Sequence, residues 1–201
     1  MMRSKDMVAG IIVVQIVTAS CSQLQATTDS FNLTGLTGFP KGFIFSTATA
    51  SYQVEGAWNV SGKGENIWDY ITHHNPNYTA DHNNGDIACD SYNKYKEDVA
   101  NIKQIGFQMY RFSLSWSRLF PSGFVNGPAN KDGVRYYNDL IDELKHNGIE
   151  PMVTIFHWDL PQPLQELGGW LNSTIADWFE DYSRAVYKQF GDKVKWWLPI
   201  N

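Results

Sequence analysis

Residues 107–116 read FQMYRFSLSW, residues 134–147 read VRYYNDLIDELKHN, and residues 151–156 read PMVTIF. The first run is aromatic-rich and reads as a strand. The second places Tyr137, Leu140, Ile141 and Leu144 on one face at helical spacing, with Gly148 as its stop. The third is apolar throughout, as a strand buried on both faces is. Strand, helix and strand in succession predict two parallel strands joined by a right-handed crossover.

The same pattern extends outward. Phe43–Ala50 (FIFSTATA) reads as strand one. Ser91–Ile105 carries Tyr92, Tyr95, Val99 and Ile102 at helical spacing and is closed by Gly106. Ile175–Phe190 sets Ile175, Trp178, Phe179, Tyr182 and Val186 on one stripe, capped by Gly191, and Lys195–Asn201 (KWWLPIN) reads as strand four. The stretch after strand one, with Gly62, Gly64, Pro76 and several Asn, reads as long and irregular. Three strand–helix–strand units fit either a doubly wound sheet or the first four units of a (β/α)8 barrel. No Gly-rich nucleotide fingerprint follows any strand, which favours the barrel. Polar and aromatic residues gather at the C-terminal ends of the strands, where barrel enzymes keep their sites. Gln53, Arg111, His157 and Asn201 are separated by 58, 46 and 44 residues. A lean barrel unit needs roughly 31 residues, so the surplus predicts long loops over one face.

Composition sets the broad class. The 201 residues are 43% hydrophobic and 18% charged, an ordinary globular profile with a net charge of −5. No basic footprint for nucleic acid and no polybasic membrane patch is present. Met1–Asp6 carries Arg3 and Lys5, Met7–Val17 is a short apolar run, and Thr18–Cys21 supplies small residues for cleavage. Residues 1–21 therefore read as a secretory signal peptide too short for a stable membrane anchor, followed by a polar lead-in at 22–38 and one domain at 39–201. Sequons at Asn32, Asn59, Asn77 and Asn172 support a secreted, extracellular or lumenal glycoprotein. Cys21 goes with the signal peptide, which leaves Cys89 as a small buried residue outside any disulfide framework.

Four clusters carry the candidate chemistry: Ser51–Asn59 (SYQVEGAWN), Tyr110–Pro121 (YRFSLSWSRLFP), His157–Gln162 (HWDLPQ) and Trp196–Asn201 (WWLPIN). Each sets neutral hydrogen-bonding groups beside aromatics at a strand end. Sugar hydroxyls need donors and acceptors of fixed geometry, and pyranose faces stack on indole. A phosphate ligand would call for Arg and Lys clusters instead. No second His, Cys or paired carboxylate stands at ligand spacing from His157, so no metal and no cofactor is implied. Taken alone, Gln53 could cap its loop, His157 could be a core histidine, and Arg111 could be an interior ion-pair partner. His73 and His74 read as solvated loop residues.

These clusters resemble the strand-end motifs of glycoside hydrolase family one, the β-glucosidases and their relatives, from about Phe39 to Asn201. The resemblance implies a retaining glycosidase acting on a small-molecule β-glycoside or oligosaccharide, with two carboxylates about 5–5.5 Å apart. It implies that Gln53 and His157 bind hydroxyls of the non-reducing sugar, that Trp158 lines the same subsite, and that Asn201 binds the 2-hydroxyl. It also implies that Arg111 keeps the nucleophile ionised. In the family the acid/base Glu directly follows the counterpart of Asn201 and the nucleophile follows strand seven. Neither lies within these residues, so the stretch alone is expected to be inactive, with two open sheet edges. Glu55 and Asp159 are expected to hold loops. The family has Thr where this chain has Pro199, which lacks a ladder N–H and is expected to weaken strand four. The competing readings are a non-catalytic carbohydrate- or partner-binding protein on the same scaffold and an unrelated parallel α/β binding module.

Overall fold

The computed structural model describes residues 38–201. The signal-peptide and lead-in readings and the Asn32 sequon lie outside the described residues, apart from Gly38. The chain divides into two units, Met1–Phe43 and Ile44–Asn201. The described part of the first is a tight turn in which the Phe43 N–H donates to the Pro40 carbonyl at 3.0 Å.

The second unit follows the repeating pattern of the sequence. Its elements are β1 (Ser46–Ala48), α1 (Ser51–Val54), α2 (Ile67–His74), α3 (Ser91–Ile105), β2 (Met109–Ser113), α4 (Trp116–Leu119), α5 (Lys131–His146), β3 (Glu150–Phe156), α6 (Gln162–Glu166), α7 (Ile175–Phe190) and β4 (Trp196–Ile200). The four strands form one sheet in the order β1-β2-β3-β4, and every pairing is parallel. A doubly wound sheet reverses its strand order at a switch point. This sheet never reverses, which is the winding of a barrel.

The core lies between the sheet and the helices α3, α5 and α7. Helix α5 buries Tyr137, Leu140, Ile141 and Leu144, and α7 buries Tyr182, Val186 and Phe190. Each fully buried aliphatic side chain contributes about 1.5–3 kcal/mol relative to exposure. Trp116 stacks on Tyr182 with ring centroids 4.3 Å apart and planes at 3°, and both side chains are fully buried. Residues Val153, Thr154 and Ile155 of β3 are entirely buried, as its apolar run predicts.

Several local expectations are corrected. The β1 ladder is shorter than the run 43–50, although Phe45 and Thr49 extend it through bonds with Gln108 and Arg111. Strand β2 stops at Ser113 because the chain turns into α4, and Leu114 makes the last rung by donating to the Thr154 carbonyl at 3.0 Å. The stretch 51–90 is not wholly irregular. It contains α2, started by a capping box in which Asn66 accepts from the backbone of Trp68 and Asp69 while Asp69 accepts from the backbone of Asn66. His73 and His74 therefore end a helix, and His73 Nε2 hydrogen-bonds Asp86 at 2.8 Å. Cys89 is exposed, not buried. It sits in a turn between two left-handed residues, Ala88 and Asp90, which lead the chain out into α3. Strand β4 runs through Pro199. The register skips it, pairing Thr154 with Leu198 and Phe156 with Ile200, and resumes as the Asn201 N–H donates to the Phe156 carbonyl at 3.1 Å. No helix among the described residues is long and apolar enough to cross a membrane.

Candidate active site at the strand ends

The long loop after β1 is laced onto the loops after β2 and β3. Gly64 N–H donates to Ser117 at 2.8 Å, Ile67 N–H to Leu160 at 2.9 Å, and Gln162 N–H to Glu65 at 3.0 Å. These backbone bonds bring the C-terminal ends of separate strands into one surface.

Arg111, Trp158 and Asn201 meet there directly. Arg111 Nη2 donates to Asn201 Oδ1 at 2.5 Å, and its Nε donates to Thr154 Oγ1 at 2.8 Å. Trp158 Nε1 donates to the Asn201 carbonyl at 2.9 Å. The Trp158 carbonyl in turn accepts from Trp68 Nε1 at 2.6 Å. Trp158 is 58% exposed and holds a left-handed backbone at φ 67°. For a bulky residue that conformation costs of order 1–3 kcal/mol, and such strain concentrates at functional sites. Its supports are the two indole bonds, one given and one received.

Electrostatics sharpen this cluster. Arg111 is half-buried, and among the described residues it forms no salt bridge with a carboxylate. His157 is also half-buried. Burial, and then the Arg111 charge, lower its pKa from the ordinary value, so the ring is neutral at pH 7. Its Nδ1 is buried without a hydrogen-bond partner among the described residues. A neutral imidazole offers one donor and one acceptor. Gln53 lies on α1 with its side chain exposed and without a hydrogen bond among the described residues. Among the described residues it forms no hydrogen bond to Arg111, Trp158 or Asn201. The cavities bordering Ser51 are not lined by Gln53, His157 or Asn201.

Beneath it lie two buried polar networks that local sequence reading does not reveal. In one, Arg118 Nε donates to Glu55 Oε2 at 2.9 Å and Nη2 to the Gly56 carbonyl at 3.1 Å, while Tyr137 donates to Glu55 Oε1 at 2.6 Å. Tyr92 covers the guanidinium at 4.3 Å. Gly56 itself admits the Ile87 backbone, since a Cβ there would lie 2.1 Å from the Ile87 carbonyl oxygen, and its φ is +61°. The only hint in the sequence is a charged residue inside the apolar run around Trp116–Phe120. In the other network, Ser51 Oγ donates to Asp159 Oδ2 at 2.7 Å, and Asp159 is fully buried. Burial raises the Asp159 pKa to about 6, partly offset by the Ser51 bond. Glu55 and Asp159 are thus both tied into loop-holding contacts. No group of three His, Cys, Asp or Glu that could hold a metal ion occurs among the described residues.

Of the described sequons, Asn59 and Asn77 are exposed. Asn172 is half-buried, and its Nδ2 donates to the Leu167 carbonyl at 2.8 Å while its Oδ1 accepts from Thr174 at 3.0 Å.

Comparison with known proteins accounts for this arrangement. Residues 36–201 match the model of glycosyl hydrolase family 1. The chain is 58% identical over 163 residues to Myrosinase 1 of Brevicoryne brassicae, covering 81% of this chain and 35% of that protein. It is 55% identical over 168 residues to furostanol glycoside 26-O-beta-glucosidase of Hellenia speciosa, covering 83% of this chain and 30% of that one. Among solved structures, an aphid myrosinase superimposes with a TM-score of 0.79 at 57% identity, over 80% of this chain and 35% of that one. A Thermotoga maritima beta-glucosidase in complex with glucoimidazole does so with a TM-score of 0.78 at 48% identity, over 81% of this chain and 36% of that one. The chain thus spans about a third of the length of these relatives, and its four parallel strands are part of a (β/α)8 barrel. The chain belongs to glycosyl hydrolase family 1.

Proposed function

We propose that the complete protein hydrolyses β-glycosidic bonds with retention of configuration, and that these residues form the glycone-binding side of its pocket. The observation that carries this reading is the Arg111–Asn201 bond at the strand ends. It fixes the Asn201 carboxamide with Oδ1 toward Arg111, so Nδ2 faces away as a donor. A donor held there suits a sugar 2-hydroxyl, whose contact strengthens as positive charge builds on the anomeric carbon. Arg111 retains guanidinium N–H groups beside its two bonds and no carboxylate partner among the described residues. A carboxylate nucleophile placed against it would be held ionised. Neutral His157 and exposed Gln53 would bind hydroxyls further along the ring, and the exposed Trp158 face would stack on its C–H surface. No cofactor is required for this chemistry.

The test is hydrolysis of p-nitrophenyl β-glycosides (glucoside, galactoside, fucoside) and a thioglucoside by the complete protein, with the first-formed anomer followed by NMR. Hydrolysis that releases the β-anomer first supports the reading. Binding of glucoimidazole with no turnover of any of them would overturn it in favour of a carbohydrate-binding protein on the same scaffold. We also propose that the protein is secreted and glycosylated, supported by the leader-like residues 1–21 and the exposed sequons at Asn59 and Asn77.

A further inference from the structure

Three successive strand ends are joined by a buried chain of side-chain hydrogen bonds that the proposed chemistry does not use. Ser51 follows β1, Ser113 ends β2, and Asp159 lies just beyond β3. Ser113 Oγ accepts from the Ser51 N–H at 2.8 Å and donates to Ser51 Oγ at 3.2 Å. Ser51 Oγ then donates to Asp159 Oδ2 at 2.7 Å. Every hydroxyl proton in the chain has an acceptor, so the direction of each bond is determined. The three residues are 3%, 2% and 0% exposed.

The position of this chain of bonds matters more than its presence. Ser51 is two residues ahead of Gln53, and Asp159 is two residues past His157. The helix α1 that carries Gln53 is four residues long and has no side-chain cap. A helix so short has no stability of its own, so tertiary contacts must place it. Meanwhile Asp159 Oδ1 is buried without a hydrogen-bond partner among the described residues. Burying a carboxyl group for one side-chain hydrogen bond is unfavourable, so the rest of the fold must offset its cost.

We infer that Ser51 and Asp159 are positioning residues that hold Gln53 in register with His157 across the end of β2. The inference rests on the proposed glycosidase reading, so hydrolysis by the wild-type protein is measured first. Its absence overturns both ideas. With hydrolysis established, KM and kcat are compared for Ser51→Ala and for the near-isosteric Ser51→Cys, which keeps the packing but weakens the donor. Displacing a sugar-binding amide without touching the reacting groups removes binding common to ground and transition states, which raises KM. An increase of about tenfold in KM at little-changed kcat is expected. Ser51→Thr, which restores the hydroxyl, is expected to return KM to within about twofold of wild type. A merely structural role would lower the folded fraction, and with it the apparent kcat, while leaving KM alone.

The decisive measurement is a double-mutant cycle. If Ser51 acts through Gln53, Ser51→Cys in a Gln53→Ala background changes KM no further. Additive effects on KM, or unchanged KM in both Ser51 variants of an active enzyme, would overturn the positioning role and leave the glycosidase reading standing.

Discussion

Removing the negative charge of Glu55 should cost the fold several kcal/mol, because it breaks a buried charge pair. Glu55 is 4% exposed and Arg118 is 0% exposed, and they form a charge pair at 2.9 Å. Glu55→Gln keeps the shape, so it opens no cavity, but it strands a buried guanidinium. Breaking a buried pair in this way costs about 3–5 kcal/mol. Tyr137 adds to the loss, because its hydroxyl donates to Glu55 at 2.6 Å and accepts from the Ser115 N–H at 2.7 Å. An amide NH2 turned toward Tyr137 would force that hydroxyl to give up its donor role. Against a total stability of about 5–15 kcal/mol, the change should move the urea midpoint of the complete protein sharply downward. Arg184 and Glu180 form an internal control. Their contact is as short, at 2.6 Å, but the side chains are 75% and 58% exposed. Glu180→Gln should cost no more than about 0.5 kcal/mol. Tryptophan fluorescence during urea titration reads both. Glu55→Gln costing less than about 1 kcal/mol, or no more than Glu180→Gln, would refute the claim that Arg118 depends on Glu55 for its charge compensation.

Asp159 should make stability fall as pH rises. Its folded pKa of about 6 lies above the ordinary 3.8. The fold therefore favours the protonated acid, and the advantage, about 3 kcal/mol, is fully present below about pH 4 and lost as pH rises through 6. Asp159→Asn should remove this slope, read as urea midpoints at pH 4.5 and 7.5. Asn201→Ala should lower kcat/KM for an aryl β-glycoside about a hundredfold or more, because it deletes the 2-hydroxyl donor and the acceptor of Arg111 together. Treatment of the secreted protein with an N-glycosidase should shift its mobility, and Asn59→Gln and Asn77→Gln should each reduce that shift. A polypeptide limited to residues 22–201 should lack a cooperative melt and aggregate, since β1 and β4 would present unpaired edges. A sharp transition by calorimetry would contradict this.

Helices α3 and α7 begin and end where their apolar spacing places them, at Ser91–Ile105 and Ile175–Phe190. That legibility is physical: each must bury one stripe against a sheet, and the stripe is written in adjacent residues. The region between residues 51 and 90 was less legible because its order comes from a capping box and from backbone bonds to distant loops. Asn66 and Asp69 stand at capping-box spacing, a local signal that could have revealed α2. The exposure of Cys89 is not legible in its Ala-Cys-Asp setting, because the turn that exposes it depends on the left-handed residues Ala88 and Asp90.

The site divides along the same line. Residues 1–201 alone determined the alternation of strands and helices and the set of strand-end candidates, because period and strand-end chemistry are local properties of the chain; the barrel over the doubly wound sheet rested on the family resemblance and on a strand order that never reverses. Only the tertiary structure decided that Arg111 bonds Asn201 across 90 residues, that Ser51 reaches Asp159 across 108, and that Glu55 is matched to Arg118 across 63. Such pairings depend on which strand ends the closed crossovers bring together, and no local pattern encodes a distance between residues so far apart in the chain.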